Sequence, residues 1–70
     1  MSTLAKRSFS LAGHRTSVAL EPEFWAALTG LAQRRGTSLS ALVAAADADR
    51  DPGQPLASTL RLTALQYARE

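Results

Sequence analysis

The residue types that do catalytic or metal chemistry are scarce in this chain. Its 70 residues include one histidine, His14, and no cysteine. A single imidazole cannot build a multi-histidine metal site, and without thiols there is neither a thiolate metal site nor a disulfide. His14 has no hydroxyl or carboxylate partner in a recognised nucleophile–base arrangement, and no glycine-rich phosphate loop is present. Asp47, Asp49 and Asp51 have the spacing that opens a calcium loop, but that loop needs glycine at its sixth position and glutamate at its twelfth. Counting from Asp47, those positions hold Pro52 and Ser58. Enzymatic activity, a cofactor and a metal are therefore not expected.

What remains is cationic and polar. Residues 1–20 carry Lys6, Arg7 and Arg15 and no acid, a net +3, whereas in residues 41–70 Arg50, Arg61 and Arg69 face Asp47, Asp49, Asp51 and Glu70, a net −1. A basic N-terminal end on a near-neutral body suits an anionic partner at that end; a solvated tail accounts for the same charges equally well. No apolar run approaches the roughly 20 residues of a membrane span. The basic, serine-rich, acid-free start is faintly like an organelle transit peptide, but in so short a chain it is expected to belong to the folded unit or to an arm. The lack of cysteine suits a reducing, cytoplasmic setting.

The elements that must position these cations are legible from pattern. Thr16, Val18 and Leu20 alternate with Arg15, Ser17 and Ala19, the period of a half-buried strand. In "KRSFSLAGHR", Phe9 and Leu11 alternate with Ser8, Ser10 and Ala12, a shorter signal that fits either an arm or the first limb of a hairpin turning near "AGH". A helix then starts at Pro22, whose missing N–H suits the first helical position, with Glu21 and Glu23 at its positive end. Phe24, Trp25, Leu28, Leu31 and Ala32 form its apolar stripe. Arg34 and Arg35 suit the last turn and Gly36 the left-handed stop. Gly30, in the middle, costs about 1 kcal/mol against alanine and suggests a close backbone approach.

A second helix follows a tight corner, with Ser38 as N-cap and Thr37 the alternative, and with Leu39, Leu42, Val43 and Ala46 on its apolar face. "DADRDPGQP" reads as a polar linker. A third helix is expected from about Ser58 to Arg69, with Leu60, Ala64 and Tyr67 along one side, Leu62, Leu65 and Arg69 along its neighbour, and Leu56 just before its cap. The division is thus an arm or extra short strand over 1–13, a core over 14–46, a linker over 47–57 and a C-terminal amphipathic helix over 58–70. No internal repeat is evident.

One confident strand needs a partner for its backbone ladder. A chain of this size, without staples, gains from oligomerisation. The simplest partner is the same strand of a second copy, paired antiparallel about a two-fold axis. The expected dimer core is Val18, Leu20, Phe24, Trp25, Leu28, Leu31, Leu39, Leu42 and Val43.

At this point "RTSVALEPEFWAALTGLAQRRGTSLSALVA" resembles the ribbon-helix-helix family of small dimeric DNA-binding proteins. It is most similar to a bacterial branch whose strand reads "HRTSVSLE", followed by "FW" and a Gly–Ser-type corner, with a third helix opening Asn-Leu-Ser-Ser-Ala-hydrophobic-Arg. "PLASTLR" keeps Leu56, Ser58, Leu60 and Arg61, and departs at Pro55 and Ala57, where the third helix is capped. The resemblance covers residues 14–46 well. It implies a mainly α fold with one short strand per chain, an intertwined homodimer with an intermolecular two-stranded ribbon, and an added C-terminal helix.

It also implies a function. A two-stranded ribbon fits the major groove, where each base pair shows a distinct donor–acceptor pattern. With Thr16, Val18 and Leu20 inward, Arg15, Ser17 and Ala19 face outward. Arginine can grip guanine O6 and N7 bidentately, serine can donate or accept, and alanine can touch a thymine methyl. The resemblance adds phosphate contacts from the start of the second helix, at Thr37, Ser38 and the Leu39 backbone. Lys6 and Arg7 can add contacts from the arm. His14 is expected at the solvent edge. The expected protein is a cytoplasmic transcriptional regulator or repressor, nucleoid-associated when bound. Two alternatives are an antitoxin whose residues 56–69 hold a protein partner, and an assembly module that has lost DNA binding. Whether dimers pair into tetramers stays open.

Overall fold

In the computed structural model the period-two pattern produces two strands, β1 (Ala5–Leu11) and β2 (His14–Leu20), followed by helices α1 (Pro22–Arg34), α2 (Leu39–Asp49) and α3 (Leu56–Ala68). Residues 3–69 are described; Met1, Ser2 and Glu70, which end the expected arm and the expected C-terminal helix, lie outside them. The expected antiparallel ribbon is present, but both of its strands come from one chain. β1 pairs with β2 in a register that sets Ser8 opposite Ser17, Phe9 opposite Thr16 and Leu11 opposite His14. β2 is thus paired along one edge by the segment that could equally have been an arm.

The hairpin closes through Ala12 and Gly13, whose φ angles of 51° and 82° are both positive. That is the two-residue turn whose twist matches a right-handed ribbon. Glycine adopts it freely, whereas alanine in the left-handed region is strained. Ala12→Asn should therefore stabilise the fold by about 0.5–1 kcal/mol, because asparagine tolerates this conformation. A urea midpoint that falls in the variant would show that the turn does not have this geometry.

The ribbon's inner face supplies Phe9, Leu11, Val18 and Leu20 to the core, where they meet Trp25, Leu28, Leu31 and Ala32 of α1, Leu42 and Val43 of α2, and Leu60 and Ala64 of α3. Trp25 ties β1 down as well as filling space. Its indole N–H donates to the Ala5 carbonyl at 2.7 Å, and its ring meets Phe9 with centroids 5.8 Å apart. Seven of the nine residues expected to form a dimer core, all but Phe24 and Leu39, are buried within a single chain. Phe24 and Leu39 are half-buried and pack against the same cluster.

The helix ends follow their sequence signals, with two differences. After α1, Gly36 takes φ +67°, its N–H reaches the Gln33 carbonyl, and the Thr37 N–H reaches the Ala32 carbonyl. This pair of bonds is the Schellman closure. Ser38 caps α2, its hydroxyl accepting from the Ala41 N–H at 3.0 Å. α2 runs on to Asp49 instead of ending before Asp47. Arg50 holds it there, with Nε 2.9 Å from Asp47 Oδ1 and a second bond to the Gln54 carbonyl that pins the loop. α3 begins at Leu56, not Ser58, with Pro55 as N-cap and no capping side chain. Leu56 joins the helix because it packs against the core. Where α1 and α3 meet, a Cβ on Gly30 would lie 3.3 Å from the Tyr67 hydroxyl, the close approach that its mid-helix position suggests.

α3 packs against α1, α2 and β2, and Arg61 fastens it to the start of α1. Its guanidinium bonds Glu21 Oε1 at 3.0 Å and lies 5.8 Å from the Phe24 ring centre. A hydrogen bond to backbone, and then the Arg61 contact, hold the Glu21 carboxyl below its ordinary value of 4.5. A lowered folded-state value means that this contribution to stability is complete above 4.5 and is lost as pH falls through the lower, folded value. Glu21→Gln should flatten the pH dependence of the urea midpoint in that acid range and leave its slope near neutrality unchanged. An unaltered acid profile would remove Glu21 from the account.

Candidate nucleic-acid interface

The two-residue turn and the ladder register sort the basic end into two faces. Lys6, Ser8 and Ser10 of β1 lie on the outer face with Arg15, Ser17 and Ala19 of β2, because alternate strand residues point to opposite sides. Across this face Lys6 stands opposite Ala19, Ser8 opposite Ser17 and Ser10 opposite Arg15. Five of the six are exposed and Ala19 is half-buried. The Ser8 and Ser17 hydroxyls touch at 3.0 Å, so the centre of the face is a hydroxyl pair and its two ends carry one cation each. None of the six is acidic.

This arrangement keeps Arg15, Ser17 and Ala19 together as expected and divides the two arm cations. Lys6 joins the outer face. Arg7 falls on the other, where its guanidinium lies 5.3 Å from the Trp25 ring centre, a cation–π contact. Ser8 and Ser10 belong to the outer face but were not singled out from sequence, since their side is fixed only once β1 is known to be a strand and its register is set. His14 is exposed beside the turn.

At the corner, the Thr37 N–H is already spent on the Ala32 carbonyl. The Ser38 hydroxyl accepts from Ala41 and keeps its own O–H to donate. At the other end of α2, Asp47 is paired with Arg50. Among the described residues no three His, Asp or Glu side chains converge as metal ligands would, and no helix is long and apolar enough to cross a membrane.

The exposed ribbon face thus carries a cation at each end, hydroxyls between them and no carboxylate, the charge sign and hydrogen-bonding groups that contact with a polyanion requires. A family model described as a ribbon-helix-helix domain matches residues 4–68, from before β1 to the end of α3. No curated protein and no solved structure matches the chain. Ribbon-helix-helix domains generally bind DNA, as transcriptional regulators or antitoxins, are generally non-enzymatic, and typically dimerise. With the ribbon, the three helices and this match in agreement, the chain belongs to the ribbon-helix-helix domain family.

Proposed function

We propose that the protein binds duplex DNA in a sequence-specific manner by laying the outer face of its ribbon in the major groove, and that it acts as a transcriptional regulator. The observation that carries this is the composition of that face: Arg15 and Lys6 at its ends, hydroxyls in its centre, no acid, and exposure of all but Ala19. Arg15 reads guanine through O6 and N7, Ser17 adds an adaptable donor–acceptor, and Ala19 offers at most contact with a thymine methyl. Lys6, exposed on the same face, reaches the groove edge or an adjoining phosphate. Arg7, stacked on Trp25, is placed less well for one.

At the start of α2 the Ser38 hydroxyl and the Leu39 N–H serve a second phosphate, favoured by the helix dipole. Thr37 has only its hydroxyl to add. A homodimer, typical of the family, presents two such faces and strengthens binding through linkage of the two sites. The buried state of Leu60 and Ala64 in α3 favours a regulator over an antitoxin, whose partner-binding tail would be free.

Selection of bound sequences from random duplex DNA tests the proposal and returns the site. A defined sequence should be enriched, and the protein should shift that duplex at physiological salt. No enrichment, with no shift at micromolar protein, would leave the assembly-module reading in its place.

A further inference from the structure

The two strands of the ribbon are alike as well as paired. Lys6-Arg7-Ser8-Phe9-Ser10-Leu11 lies on Arg15-Thr16-Ser17-Val18-Ala19-Leu20 at a constant offset of nine residues. The outward residues correspond as Lys6 with Arg15, Ser8 with Ser17 and Ser10 with Ala19. The inward apolar ones correspond as Phe9 with Val18 and Leu11 with Leu20, and all four are buried. Six residues are too few to register as a repeat in the bare sequence, but the ladder gives them a spatial meaning. It pairs Ser8 with Ser17. A half-turn about an axis through that pair, normal to the sheet, exchanges the strands and carries Lys6 onto Arg15, Ser8 onto Ser17 and Ser10 onto Ala19.

We infer that β1 takes, within one chain, the place that β2 of a second copy would take, so that a single chain builds a complete two-stranded DNA-reading face. Lys6, Ser8 and Ser10 form its second half. What the face does rests on the DNA-binding reading above; how it is built does not. Three further observations support the construction. The Trp25–Ala5 bond and the two-residue turn fix β1 at both ends. A core forms within one chain, with Leu20, Leu28, Val43 and Leu60 wholly buried, while Leu4, Leu62 and Leu65 stay about half exposed. Strands lie about 4.8 Å apart and the major groove is about 12 Å wide, so two strands suit it better than the four of a doubled hairpin.

The two halves are chemically unequal. Arg15 presents a planar fork suited to guanine, whereas Lys6 presents a single mobile ammonium. The preferred site should therefore be an imperfect palindrome within the span of one ribbon, stricter in the half that Arg15 reads.

Two measurements test the inference separately from the DNA reading. The chain has no cysteine, so introduced thiols report pairing cleanly. Ser8→Cys/Ser17→Cys should oxidise to a covalent monomer on a non-reducing gel. Ser17→Cys alone should dimerise covalently no faster than an exposed control, Ser40→Cys. Rapid covalent dimers from Ser17→Cys, with dimers also from the double variant, would place β2 beside β2 and overturn the inference.

On DNA, Lys6→Ala should weaken the selected duplex by a factor within about one order of magnitude of that for Arg15→Ala, as counterparts at the two ends should. Undiminished affinity in Lys6→Ala beside a clear loss in Arg15→Ala would remove β1 from the reading face even if the cross-link forms. A wild-type chain that shifts no duplex would overturn the assignment of Lys6, Ser8 and Ser10 together with the DNA reading, and the cross-linking result would still decide how the ribbon is built.

Discussion

Trp25→Ala should lower the unfolding free energy by about 3–5 kcal/mol, the usual cost of emptying a buried tryptophan site. A domain of this size has only about 4–10 kcal/mol in total, so the variant should be close to unfolded at room temperature. The size of the effect follows from where the residue stands. Trp25 is 2 % exposed, packs against Phe9, carries Arg7 over its ring and donates to the Ala5 carbonyl. It therefore joins α1 to the first residue of β1 as well as filling the space beneath the ribbon.

Trp25→Phe separates these contributions. It keeps most of the packing and loses the N–H, so it should cost about 1–2 kcal/mol, the loss of one hydrogen bond together with a smaller ring. Urea unfolding followed by far-ultraviolet circular dichroism measures both variants without depending on the lost fluorophore. If the alanine variant lost less than 1 kcal/mol, Trp25 would not be the centre of this core.

The fold was legible where one local pattern permits one outcome. Alternation at Thr16, Val18 and Leu20 sets the faces of β2, and Pro22 and Gly36 bound α1 through backbone constraints that no tertiary contact alters. The pairing of β2 was not legible, because a strand's pattern describes its two faces and says nothing about its two edges. Val18 and Leu20 face inward whether the neighbouring strand is β1 or a second β2. An Asn-Gly turn would have announced the hairpin; Ala12-Gly13 gives only half of that signal, and the register shows that it suffices. The end of α2 was hidden for a different reason. Asp47 and Asp49 read as loop by composition, and they are held in the helix by Arg50, which pairs with Asp47 three residues back.

The candidate site divides along the same line. The outward direction of Arg15, Ser17 and Ala19 followed from parity alone. The separation of Lys6 from Arg7, and the inclusion of Ser8 and Ser10, required the register. The offset of nine residues between the strands was present in the sequence throughout, but it acquires meaning only when Ser8 is found opposite Ser17. A short correspondence between two segments is weak by itself and becomes informative once the two segments are neighbours in space.

Arg15→Ala should weaken binding to the selected duplex by about 1–3 kcal/mol, roughly 5- to 150-fold, and should relax preference at one base position. The effect is confined to cognate DNA because a guanidinium on guanine O6 and N7 contributes only where that guanine is present. Arg15 is suited to this role by its surroundings. It stands on the outer face opposite Ser10, is exposed, and shares that face with no carboxylate that could draw it away. Arg15→Lys keeps the charge but not the fork, so it should show most of the cognate loss while non-specific affinity and its salt dependence stay at the wild-type level. Binding of selected and scrambled duplexes, each measured over a range of salt, separates the two contributions. Equal losses on both duplexes, fully restored by lysine, would make Arg15 a phosphate contact and move base reading to the hydroxyls at the centre of the ribbon.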